Sequence, residues 1–204
     1  MALIVSAAMA KVSKKTVDRR RIEVAIGSSV KVVGSLVLQS KLIAKAAQMV
    51  IDSLKSGGKI LTCGHGGSAA EAMHMSEEFI GRFRKNRVSL PAIALSADPT
   101  ALTCIGNDFG FDSIFSRQIE GLARPGDVLV VISSSGRAPS LKLALKAAKA
   151  KKARTICLLG KGGGPIKGMA DCEIIVAGSQ TERIQEAQLV IVHLILDAVE
   201  EAFS

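Results

Sequence analysis

A chain of 204 residues suffices for one domain with a substantial core, and 48% hydrophobic against 22% charged residues is the mixture of a globular protein. Trp and Tyr are absent and aromatics make up only 3%, which calls for an aliphatic core and argues against a nucleic-acid surface built on base stacking. The formal charge of +9 is concentrated in residues 1–59, with eleven Lys/Arg against three Asp/Glu, so the basic stretch KVSKKTVDRRR reads as a solvated helix face.

The opening MALIVSAAMA is too short to cross a bilayer and has no positive region before it, and no targeting or membrane segment is expected. From about residue 14 to 56 apolar residues recur at helical spacing. Ile22, Ile26, Val33 and Val37 mark one face, and Leu42, Ala46, Met49, Val50 and Leu54 another. Gly27 and Gly34 weaken the first helix, and Gly57-Gly58 stops the second.

Apolar, partly β-branched runs then follow at 59–63, 91–95, 127–132, 154–159 and 172–176. Helical patterns lie between them at 68–84, 99–106 with 111–123, 137–152 and a short piece near 165–169, and a last helix covers 181–202. Strands apolar on both faces and alternating with helices predict a doubly wound, flavodoxin-like three-layer αβα fold with a five-stranded parallel sheet. Residues 1–41 form its helical lead-in and 42–204 the domain. The four cysteines sit in or beside apolar runs and form no C-x-x-C pair, as expected of buried free thiols in the cytoplasm.

In such a sheet ligands lie beyond the carboxyl ends of the strands. After the first strand, Gly64-His65-Gly66-Gly67-Ser68 opens a helix, and Ser68 and Glu71 have capping-box spacing. The turn is either a plain cap or an anion site at a helix N-terminus. After the third strand, 133-SSSGRAPS-140 brings hydroxyls and amides to the same edge, and the pair of turns favours phosphate. His74, Glu78 and Arg82 follow at four-residue steps and could share one helix face, as a metal site, an acid–base pair or a surface interaction. Asn107 and Asp108 lie in a polar turn between two helical pieces and could meet sugar hydroxyls. In the last helix Ser179 and Glu182 repeat the capping-box spacing. Gln185 and His193 stand roughly 12 Å apart along that helix, so one ion could join them only by long reaches or from different subunits.

Six segments in order, GHGGS at 64–68, AMHMSEEFIGRF at 72–83, RVSLPAIAL at 87–95, IGNDFGFDSIFSRQ at 105–118, GDVLVVISSSG at 126–136 and ERIQEAQLVIVH at 182–193, resemble the sugar isomerase (SIS) family and its sedoheptulose 7-phosphate isomerases. The resemblance covers about residues 42–200. It implies aldose–ketose isomerisation of sedoheptulose 7-phosphate to D-glycero-D-manno-heptose 7-phosphate for lipopolysaccharide precursors, in a cytoplasmic homotetramer with intersubunit active sites. Residue by residue it implies that Ser68, Ser133, Ser134 and Ser135 hold the phosphate and sugar chain, with the His65–Gly67 turn beside them. His74, Glu78, Gln185 and His193 are similar to a Zn²⁺-binding set, with Glu78 and His193 also the acid–base pair. Asn107 and Asp108 would contact substrate, and Arg82 would order the site. His65 replaces the asparagine usual in the family's turn, and Ala138 replaces a serine. The alternative is a non-catalytic SIS protein that binds sugar phosphate or a replication initiator. Neither a membrane nor a nucleic-acid partner is expected.

Overall fold

The computed structural model describes residues 17–204. The opening apolar segment and the first part of the basic stretch therefore lie outside the described residues. Helix α1 (Arg19–Gly34) leads through a 3-10 turn (Ser35–Gln39) into α2 (Ser40–Lys55). Gly27 sits inside α1 without breaking it, and the tightening falls at Gly34-Ser35. Strand β1 (Ile60–Cys63), α3 (Gly67–Ile80), β2 (Ala92–Ala94) and α4 (Pro99–Phe109) follow. A 3-10 turn (Phe111–Ser113), α5 (Ser116–Leu122), β3 (Val128–Ser133), α6 (Pro139–Ala150) and β4 (Arg154–Leu159) come next. A 3-10 turn (Lys161–Ile166), β5 (Cys172–Ile175) and α7 (Thr181–Phe203) complete the order.

All five strands are parallel, in the order β2-β1-β3-β4-β5. Alternate residues of β1 and β3 feed the two faces. Ile60, Val128, Val130 and Ile132 pack beneath α2, α3 and α7, while Leu61, Cys63, Leu129 and Val131 pack beneath α5 and α6. Both faces are covered, which is why every residue of β1 and β3 is buried. The core is aliphatic, with Phe79 and Phe115 its largest side chains. Cys63, Cys157 and Cys172 are buried free thiols, whereas Cys104, expected to be buried, is exposed on α4 beside Asp108.

At the amino edge of the sheet Asp127 is almost wholly buried. It accepts the Lys59 and Arg124 backbone N–H groups at 2.9 and 2.8 Å and pairs with Lys59 Nζ at 2.5 Å. By length and composition alone the run Arg19–Lys55 is apolar enough to cross a membrane, but its second half gives Ile43, Ala46, Met49, Val50 and Leu54 to the core. Its first half has no fully buried residue.

Candidate active site

Strand order reverses between β1 and β3, because β1 connects outward to β2 on one side and pairs with β3 on the other. This is the switch point where an open sheet leaves a crevice, and both the glycine turn and the serine loop rise from it. In the first turn Gly66 takes φ 56°, a left-handed conformation suited to glycine, and serves as N-cap of α3. The helix thus begins at Gly67 and the Ser68–Glu71 capping box does not form. Ser68 is already inside the first turn, and no side chain caps this end. The same holds for Ser179–Glu182, since α7 starts at Thr181 with Gln180 as its N-cap.

In the second turn Ser133 Oγ accepts the Gly136 N–H at 3.0 Å, and Ser134 and Ser135 are half-buried. Gly136, at φ 61°, lies so close to Gly163 O of the 161–166 turn that a β-carbon there would overlap it. The serine loop therefore rests on a glycine-rich support. Ser140 does not stand in for the serine absent at 138. It is fully buried, with its hydroxyl 2.6 Å from His65 Nε2. Burial lowers the His65 pKa, partly offset by Asp112, so the ring is neutral near pH 7.

Helices α3 and α7 run side by side in the same direction, pairing Gly67 with Gln185 and His74 with His193. A β-carbon at Gly67 would meet the Gln185 amide, so a larger residue there would push that side chain aside. His74 Nε2 lies 3.0 Å from His193 Nε2 and 3.8 Å from Glu78 Oε1. Burial and the adjacent His74 hold the His193 pKa below the usual histidine range; Glu78 opposes this and Arg84 adds to it. Phe83 packs its ring 5.7 Å from that of His193. Glu77, which a solvent-facing reading would leave aside, reaches His74 Nδ1 at 3.3 Å and orients the imidazole. Its i, i+3 spacing from His74 was the available signal. Gln188, fully buried, donates to Leu158 O at 2.8 Å and Ser133 O at 3.3 Å, fixing α7 to the strand ends.

Four expected site residues stand apart from this cluster within one chain. Gln185 is at the Gly67 end of α7, roughly 12 Å of helix rise from His193. Arg82 does not continue the His74–Glu78 face, because α3 ends at Ile80 and Gly81 turns the chain away. Arg82 is exposed, with no hydrogen bond or ion pair among the described residues. Asn107 and Asp108 occupy the last turn of α4 rather than a loop between helices, exposed and bonded to each other at 2.7 Å.

His74 and Glu78 fall with Glu77 in one group able to hold a divalent metal, and His193, outside that group, stands 3.0 Å from His74 Nε2. Ligand atoms about 2.0–2.1 Å from a tetrahedral zinc stand about 3.4 Å apart, between the His74–His193 and His74–Glu78 separations found here.

A doubly wound sheet with glycine and serine turns at its switch point, and a histidine–carboxylate cluster on the helices behind them, is the architecture of a sugar isomerase domain. The SIS domain family matches residues 29–160. A phosphoheptose isomerase from Citrifermentans bemidjiense is 52% identical over 161 residues, 79% of this chain and 84% of that protein. The phosphoheptose isomerase structures from Neisseria gonorrhoeae and Francisella tularensis superpose with TM-scores of 0.83 and 0.88 at 36% and 32% identity. They cover 90% and 91% of this chain and 98% and 100% of theirs. The chain belongs to the SIS domain family and, within it, to the phosphoheptose isomerases.

Proposed function

We propose that this protein is the aldose–ketose isomerase that converts sedoheptulose 7-phosphate to D-glycero-D-manno-heptose 7-phosphate, in the cytoplasm, toward the heptose of bacterial lipopolysaccharide. The observation that carries the reading is His74, its Nε2 3.0 Å from His193 Nε2 and 3.8 Å from Glu78 Oε1, in a chain about half identical to phosphoheptose isomerases. A non-catalytic sugar-phosphate sensor has no need of that cluster.

Isomerisation moves a proton between C1 and C2 through an enediolate and needs a base at carbon, a proton carrier at oxygen and a held substrate. Glu78, largely shielded from solvent, takes the proton from carbon. His193, kept neutral by burial and His74, exchanges protons at the sugar oxygens. The turns at 64–68 and 133–136 grip the phosphate, and binding at that remote end fixes the reacting carbons. His74, Glu78 and His193 would hold zinc, with Gln185 brought from a neighbouring subunit of a homotetramer. Bound zinc would supply Lewis-acid polarisation of the carbonyl and hydroxyl. Arg82, Asn107 and Asp108, exposed in the single chain, are placed in this reading at subunit boundaries.

Incubation with sedoheptulose 7-phosphate, with and without added zinc and beside a panel of other ketose phosphates, tests the substrate by following aldose formation. Glu78→Gln and His193→Gln should each lower kcat by about 10²–10⁴-fold with the fold intact. Near-normal turnover in both variants would sink the mechanism.

A further inference from the structure

His65 is surrounded by groups from three separate segments. Its Nε2 is 2.6 Å from the hydroxyl of Ser140, in the first turn of α6 directly beyond the serine loop. Its ring stacks on Phe111 at a centroid distance of 5.4 Å and an interplanar angle of 28°. Phe111 belongs to the short turn that follows the Asn107–Asp108 end of α4. On another side it packs at 5.0 Å from Phe115, which is rooted in the core. Ser140 has no solvent exposure, so its hydroxyl cannot be a loose surface donor. Ala138, the N-cap of α6, offers no side-chain hydrogen bond of its own. The imidazole is thus the side-chain tie between the turn that opens α3 and the helix that carries the serine loop.

A phosphate ligand taken by Nε2 would have to displace Ser140 and leave a buried hydroxyl without its partner, a costly exchange. We infer that His65 is a positioning residue: through Ser140 and Phe111 it clamps the glycine turn, the serine loop and the end of α4 into one phosphate cradle formed before substrate arrives. The inference rests on the reading of these two turns as the phosphate site. Its energetic logic is preorganisation, since turns already fixed in place lose less freedom when the anion binds. An effect of this kind falls on phosphate affinity and KM more than on kcat.

The test compares wild type, His65→Ala, Ser140→Ala, the double variant and His65→Gln, whose amide nitrogen reaches the Nε2 position. Two readouts are taken: KM and kcat on sedoheptulose 7-phosphate, and the affinity for inorganic phosphate by calorimetry, with thermal melts to confirm folding. Either alanine variant should weaken phosphate binding and raise KM by about tenfold, with a smaller change in kcat. The double variant should be no worse than the poorer single, and His65→Gln should recover most of the loss. Ser140→Ala removes one oxygen and tests the clamp even if His65→Ala does not fold. Phosphate affinity within about twofold of wild type in the alanine variants, or additive losses in the double, overturns the inference. A wild type that binds phosphate His65-dependently but leaves sedoheptulose 7-phosphate unchanged refutes the substrate and leaves the clamp standing.

Discussion

Glu71 shows how one position of a helix start changes a residue's chemistry. Had α3 begun after Ser68, the Glu71 carboxylate would turn back to a free amide at the helix end. With Gly66 as the N-cap it lies past the first turn, buried, with Oε2 lacking a partner. Burial raises its pKa from 4.5 to about 7, with Ser68 holding it partly down. A carboxyl with a folded pKa above its unfolded value keeps its proton in the folded state. Stability therefore falls as pH rises from 4.5 to 7 and is level beyond. Glu71→Gln should stabilise the metal-free protein by about 2 kcal/mol at pH 8, allowing for solvent screening, and by almost nothing at pH 4. Thermal melts across that range check this, and a gain independent of pH would refute it. Other site residues were easier to read. The four-residue step from His74 to Glu78 and the rise from Gln185 to His193 are properties of any helix, and both survive in the structure. Arg82 was not legible, because its place on that face required the helix to run past Gly81.

The elements were more legible than their ends. Four of the five strands fall inside their apolar runs and β3 exceeds its run by one residue, Ser133; the order 2-1-3-4-5 follows from right-handed crossovers on a doubly wound sheet. What the pattern does not carry is the polar fastening between strands. Asp127 reads in the sequence as no more than the start of a strand, yet at the edge opposite the site it joins β3 to Lys59, the residue before β1, through two bonds and holds the Arg124 turn through a third. Asp127→Ala leaves Lys59 and two backbone donors without their acceptor and should cost about 3 kcal/mol. Urea unfolding should show the loss while the KM of the folded fraction stays at its wild-type value. A raised KM would mean that strain at the amino edge reaches the turns at 64–68 and 133–136.

The surface of the whole molecule is unbalanced. Val30, Val37 and Leu38 on the lead-in are largely exposed, and a cleft of about 520 Å³ lined by Val33, Leu36, Val37, Ala47, Val190 and Leu194 lies between it and α7. A run this apolar could be buried in a bilayer or against copies of the same chain. The site favours the second: Gln185, Arg82, Asn107 and Asp108 all fail to reach His74 and His193 within one chain, and a neighbour packed on this face could supply them. Light scattering on the purified protein, without detergent, should give four times the mass of the chain. Val37→Lys with Ala44→Lys places two cations in the cleft on the lead-in and α2, off both α3 and α7, and should dissociate the assembly while leaving the sheet domain folded by circular dichroism. If the sites are shared, turnover should fall with dissociation by at least about 10²-fold, although neither substituted residue touches the reacting atoms. A wild type that is monomeric and fully active would assign every catalytic group to the single chain, and a wild type recovered only with membranes would return the lead-in to the bilayer.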